Sequence, residues 1–169
     1  MRALVTILAL VLTVPAFAAD VPQKTQDFIS AATIGNRFEI DTSNLALKYA
    51  QGDDVKSFAQ KMITDHTKAG EELKAALSKA NIKPPPDELD LMHKARYAKL
   101  RYLTTASGFD ASYTHEQVKA HKDTIATFKD YAANGPTPEI KAFASQLLPT
   151  LEEHLKMAKD LKKKLSPKS

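Results

Sequence analysis

Apolar and small side chains recur along this chain at alternating steps of three and four residues, and sustained alternation of apolar and polar residues is absent. This spacing is typical of amphipathic α-helices, so the pattern predicts an all-α fold. The clearest stripe comprises Val55, Phe58, Met62, His66, Ala69, Leu73, Ala76 and Ala80. His66 therefore occupies a position at which the pattern predicts a core residue.

Glycines and prolines divide the pattern into five predicted helices, at about 25–51, 53–80, 87–105, 109–133 and 138–164. Gly52 is interpreted as a helix C-cap and the aspartate that follows it as an N-cap. The segment "NIKPPPD" is incompatible with a helix and predicts an extended crossover. Short turns join the first helix to the second and the fourth to the fifth, so each pair forms an antiparallel hairpin. Two hairpins joined by a long crossover with a shorter helix predict a ferritin-like antiparallel four-helix bundle.

The first eighteen residues, "MRALVTILALVLTVPAFA", have the layout of a secretory signal peptide. An arginine precedes a short apolar run, and an A-x-A cleavage signal ends at Ala18. We therefore expect residues 19–169 to form a single helical-bundle domain with a short basic C-terminal tail, exported to the periplasm or secreted. The apolar run is too short to span a membrane, so stable membrane insertion is not expected.

Composition restricts the function classes further. The chain has 24 Lys and Arg against 20 Asp and Glu, a net charge of +4 that is too small to favour a nucleic-acid partner. Cysteine is absent, which excludes disulfides and thiolate metal sites. No phosphate-binding loop, nucleophile elbow or metalloprotease motif occurs in the sequence.

Histidine occupies a core position in three different predicted helices, as His66, His121 and His154. Glu39 lies at the edge of the buried stripe of the first helix, close to Gly35. Glu39 precedes Gly52 by about as many residues as His66 follows it, so both lie roughly 20 Å from the first turn. One carboxylate and three imidazoles can form the ligand set of a single divalent transition metal: zinc, iron or copper.

A carboxylate-bridged di-iron centre does not fit the sequence. That chemistry uses Glu-x-x-His on two helices, whereas Ile63 and Leu151 precede His66 and His154 by three residues. Of the two remaining histidines, His93 is predicted to lie on a solvated face, and the position of His115 relative to its stripe is ambiguous.

Four sequence blocks carry a resemblance to a known family. "IGNRFEIDTSNLALKYA", "VKSFAQKMITDHTKAGEEL", "VKAHKDTI" and "LPTLEEHLKMAKDL" follow one another in this order after the signal peptide. They closely resemble the exported bacterial family named domain of unknown function 4142, over about residues 25–161. The resemblance implies a ferritin-like bundle in the periplasm or envelope, with Glu39, His66, His121 and His154 at the positions of the family's motifs.

Three functions remain open at this stage. The first is a periplasmic protein that binds one metal ion between its hairpins, for metal handling or envelope stress tolerance. The second is a non-catalytic envelope or partner-binding module whose histidines form a buried hydrogen-bonded network. The third is a redox or hydrolytic enzyme that uses the same centre with an open coordination position.

Overall fold

A computed structural model describes residues 20–103 and 108–166. In that part of the chain the regular elements are five α-helices and no strand is present. Helix α1 spans Gln23–Tyr49, α2 Asp53–Lys79, α3 Leu91–Tyr102, α4 Phe109–Asn134 and α5 Pro138–Leu165. The predicted signal peptide lies outside the described residues, and so does the end of the basic tail. None of the described helices is long and apolar enough to cross a membrane.

The four long helices form the predicted bundle. The hairpin of α1 and α2 packs against the hairpin of α4 and α5, with α2 beside α5 and α1 beside α4. Helix α3 lies outside this ring and contacts α1 and α4. Pro149 lies within α5, and the helix continues through it. The all-α bundle with a shorter crossover helix is therefore confirmed.

The hydrophobic core is divided into two clusters along the bundle axis. One cluster contains residues of α1 before Phe38 and of α5 before Leu155, and the other lies at the end where α1 turns into α2. Between them, every long helix contributes one buried ionisable side chain: Glu39, His66, His121 and His154. The fold thus places a polar layer across the middle of an apolar core.

The first turn differs from the prediction in its capping. Ala50 caps α1, and Gly52 is the N-cap of α2, so Gly52 is not the predicted C-cap and no aspartate caps α2. The Gly52 N–H donates to Asp110 Oδ2 on α4 at 2.8 Å. A Cβ at Gly52 would lie 3.2 Å from that same oxygen, so glycine permits the close approach of the turn to α4.

The third helix begins at Leu91, four residues later than predicted. Asp90 provides the reason, because its carboxylate accepts a hydrogen bond from the His93 backbone N–H and caps the helix there. Residues 83–90 form an extended connection that contains Pro84, Pro85 and Pro86. This connection crosses beside α1, where Arg37 Nη1 lies 3.8 Å from the Asp87 carboxylate.

Candidate metal centre

The three core histidines meet at one point inside the bundle. His66 on α2, His121 on α4 and His154 on α5 each offer one ring nitrogen, and these three nitrogens lie within 4.8 Å of one another. The residues are 4%, 1% and 1% exposed, respectively. The three ring centroids are 5.4 to 5.7 Å apart. The sequence-predicted convergence of the histidines is therefore present in the fold.

Each ring is held by a hydrogen bond from its other nitrogen to an oxygen atom. His66 Nδ1 lies 3.0 Å from Asn36 Oδ1, and His121 Nδ1 lies 3.0 Å from the Gln117 carbonyl oxygen. His154 Nε2 lies 2.8 Å from Asp65 Oδ2. An oxygen without a hydrogen can only accept, so these contacts assign the proton of each neutral ring to the nitrogen that faces the oxygen.

This assignment leaves three nitrogen lone pairs at the centre of the cluster: His66 Nε2, His121 Nε2 and His154 Nδ1. His66 Nε2 has no hydrogen-bond partner among residues 20–103 and 108–166. His121 Nε2 and His154 Nδ1 are 3.4 Å apart, and with these tautomers neither nitrogen carries a hydrogen for the other. Two nitrogens bound to one metal in tetrahedral geometry are roughly 3.3 Å apart, given bonds near 2.0 Å. The His121–His154 pair therefore has the spacing of two ligands of one metal ion, and His66 offers a third nitrogen within 4.8 Å.

Burial keeps the imidazoles in the form that binds metals. Desolvation lowers the pKa of His121 to about 4, although its hydrogen bond to Gln117 opposes the shift. Desolvation also lowers the pKa of His154 to about 4, against the opposing effect of Asp65. The pKa of His66 lies well below its usual value because of burial and the two neighbouring histidines. All three rings are thus neutral at physiological pH.

Glu39 lies next to His121, on the side of the ring whose Nδ1 faces the Gln117 carbonyl oxygen. Its Oε1 is 3.7 Å from His121 Nδ1, the protonated nitrogen of that ring. Its Oε2 has no hydrogen-bond partner in the described part of the chain. Desolvation raises the pKa of Glu39 to about 8, against opposing contributions of Gln117, Arg96 and His93. The carboxyl group is therefore protonated at neutral pH, and ligation of a metal by all four predicted residues stays a prediction.

Asp65 connects the buried centre to the protein surface. Its Oδ2 accepts hydrogen bonds from His154 and from Lys61 Nζ at 3.0 Å, and Lys61 lies 3.5 Å from Glu153. Burial raises the pKa of Asp65, but the bonds from His154 and Lys61 outweigh it and the net shift is downward. A partly exposed carboxylate thus orients His154 from outside the cluster.

The residues that orient the rings were not predicted from the sequence. Asn36 lies three residues before Glu39, and Asp65 directly precedes His66 yet contacts His154 across the bundle. One feature of the sequence indicates that another helix approaches His66. Gly70 follows His66 by one helical turn and has no side chain, so it leaves space there for a residue such as Asn36. A Cβ at Gly70 would lie 3.1 Å from Asn36 Nδ2, so glycine leaves room for the amide that holds His66.

The two remaining histidines lie outside the centre. His93 is not on a fully solvated face as predicted, because its ring packs edge-on against Phe38 at 5.1 Å between centroids and its Nδ1 contacts Asp90. His115 is exposed, and its Nδ1 lies 3.1 Å from Lys162 Nζ on α5. Neither residue belongs to the group of converging nitrogens.

Comparisons with known proteins agree with this architecture. The family model described as "Domain of unknown function (DUF4142)" matches residues 12–161. A solved structure titled "CopM in the Cu(II)-bound form" has the same fold, with a TM-score of 0.70 and 21% sequence identity. The alignment covers 83% of this chain and 97% of that chain. No curated protein sequence matches the chain.

Proposed function

The chain belongs to the domain of unknown function 4142 family, and we propose that this member is an exported copper-binding protein that holds one Cu(II) ion in its histidine cluster. The observation that carries the proposal is the convergence of three buried nitrogen lone pairs, each fixed by an outer hydrogen bond. Metal-binding histidines in proteins are commonly oriented by this kind of second hydrogen bond.

Two observations support copper over other divalent metals. The ligands are imidazoles without thiolates, and imidazole sites bind Cu(II) more tightly than Zn(II), Ni(II) or Fe(II). A protein of the same fold binds Cu(II), as its title states. Residues 1–18 support export, so the proposed place of copper handling is the periplasm or the cell envelope.

The residues have distinct roles in this proposal. His66, His121 and His154 supply the ligand atoms, while Asn36 and Asp65 hold two of the rings in the binding orientation. When bound, the ion supplies a positive charge that stabilises the cluster of lone pairs. Because the rings are already neutral, binding to the histidines requires no deprotonation of an imidazole at pH 7.

Titration of the mature, metal-free protein with Cu(II) tests the proposal. We expect one tightly held equivalent with nitrogen hyperfine structure in the electron paramagnetic resonance spectrum. His121→Ala should weaken binding by more than roughly 100-fold, because a ligand is lost in addition to its orientation. His93→Ala is the matched control and should bind one equivalent. Uptake of less than about a tenth of an equivalent by wild type, unchanged in His121→Ala, would contradict the proposal.

Removing the outer carboxylate should weaken copper binding without removing a ligand. Asp65→Ala deletes the acceptor of the His154 Nε2–H, so the ring loses its fixed tautomer and orientation. We expect a loss of about 10-fold to 100-fold in Cu(II) affinity with the stoichiometry unchanged. Asp160→Ala, which removes an exposed carboxylate paired with Lys156, should leave the affinity unchanged. Equal affinities of the two variants would show that Asp65 does not orient the centre.

A further inference from the structure

A cavity of about 230 Å³ lies beside the histidine cluster, between α1, α2, α4 and α5. Its walls are mostly apolar and include Leu73, Leu77, Phe128, Phe143 and Leu151. An engineered apolar cavity of about 150 Å³ is sufficient to bind benzene. The space in this bundle is therefore large enough for one six-membered ring with a small substituent.

One end of the cavity is polar. Glu39, His66 and His121 line it there, and Glu39 is 97% buried, since its exposed fraction is 3%. The Oε2 atom of Glu39 has no hydrogen-bond partner among the residues that the structure describes. A buried carboxyl oxygen without a partner has lost its hydration without compensation, so a molecule that donates a hydrogen bond to it gains binding energy.

The cavity also reaches the crossover that follows α2. Pro84, Pro85 and Asp87 line the cavity there, and Asp87 is exposed and lies 3.8 Å from Arg37 Nη1. This segment lacks helix hydrogen bonds and lies at the surface, so entry past it does not require the long helices to separate.

We propose that this cavity binds a small hydroxylated ring compound, of the size and polarity of a phenol, with its ring between the leucines and phenylalanines and its hydroxyl group at Glu39. A hydroxyl group is the substituent that fits best, because it can donate to a carboxylate and accept from a carboxylic acid. Mostly apolar walls with a few polar groups at one end are typical of small-molecule sites.

Ligand-observed and protein-observed NMR with phenol tests the proposal, with toluene as the probe of the same shape that lacks the hydroxyl group. We expect saturable binding of one phenol per chain to the full mature protein. Ala32→Leu enlarges a side chain on the cavity wall and should weaken phenol binding at least tenfold. Ala31→Leu makes the same change on the exposed neighbouring position and should leave binding unchanged. Glu39→Leu should reduce the preference for phenol over toluene at least fivefold.

The outcomes separate this proposal from copper binding. Ala32→Leu should still bind one Cu(II), because Ala32 is not among the residues that hold the histidines. If Ala32→Leu does not fold, Leu147→Phe on the half-buried part of the same wall replaces it. Absence of saturable phenol binding in wild type, or equal binding by Ala32→Leu and Ala31→Leu, would overturn the cavity proposal whether or not copper binds. Copper loss with phenol binding intact would overturn only the proposed function.

Discussion

His66→Leu should remove the stabilisation of the protein by Cu(II) while leaving the metal-free protein at least as stable as wild type. In the metal-free protein the buried His66 Nε2 has no partner in the described residues, so its desolvation is uncompensated. Leucine fills a similar volume without a polar atom, and Asn36, which is only half-buried, can turn to water. With Cu(II) at about a thousand times its dissociation constant, wild type should gain about 4 kcal/mol in free energy of unfolding. The variant should gain almost none.

Denaturant unfolding with and without Cu(II) measures both effects. His93→Leu, which changes a histidine outside the centre, is the matched control and should retain the copper-dependent gain. The alternative of a structural hydrogen-bonded network makes the opposite prediction, because removal of a network member destabilises the metal-free protein. A loss of stability in metal-free His66→Leu, together with an unchanged response to Cu(II), would therefore favour the structural network.

The sequence contained enough information for the fold and for the histidine cluster. Steps of three and four residues place His66, His121 and His154 on the buried faces of their helices, and the two short turns fix which helices are neighbours. Continuous helical geometry then sets the height of each residue in the bundle. Pro149 removes one backbone donor in α5 without ending the helix, so His154 remains level with His121.

The orientation of the rings could not be predicted in the same way. Whether Nδ1 or Nε2 of a histidine faces the centre depends on rotamers and on acceptors such as Asn36 and Asp65, which come from other helices. Periodicity identifies a buried face but not the partner across the bundle. The burial of Glu39 was likewise underestimated, because the stripe of α1 is broader than one residue per turn and includes both Phe38 and Glu39.

Glu39→Gln should abolish the pH dependence of stability that Glu39 imposes on the metal-free protein. Glu39 has a pKa of about 8 in the folded state, against an ordinary value of 4.5. Between these values the folded state binds more protons than the unfolded state, so the free energy of unfolding falls as pH rises. Glutamine keeps the shape of the side chain but does not titrate. The variant should therefore be more stable than wild type at pH 8, by roughly 2 to 5 kcal/mol.

The histidines have the opposite effect on the pH dependence of stability, and they have it over a lower pH range. Their folded pKa values of about 4, for His121 and His154, lie below the ordinary 6.5, so they make stability rise with pH between about 4 and 6.5 and contribute no slope above it. The interval from pH 6.5 to 8 thus isolates Glu39. Over this interval the free energy of unfolding of wild type should fall by about 2 kcal/mol, because one titrating group changes it by up to ~1.4 kcal/mol per pH unit. The free energy of unfolding of Glu39→Gln should hardly change.

Denaturant unfolding of chelator-treated protein at several pH values between 6 and 8.5 measures this difference. Glu152→Gln, which removes an exposed carboxylate paired with Lys129, should give a curve parallel to wild type. Parallel curves for wild type and Glu39→Gln would mean that Glu39 is already ionised in the folded protein, and that a neighbouring group compensates its charge. The Cu(II) affinity of the same variant then decides the remaining question at this centre: a tenfold or larger loss would make Glu39 a ligand, whereas an unchanged affinity leaves the three imidazoles as the complete set of protein ligands.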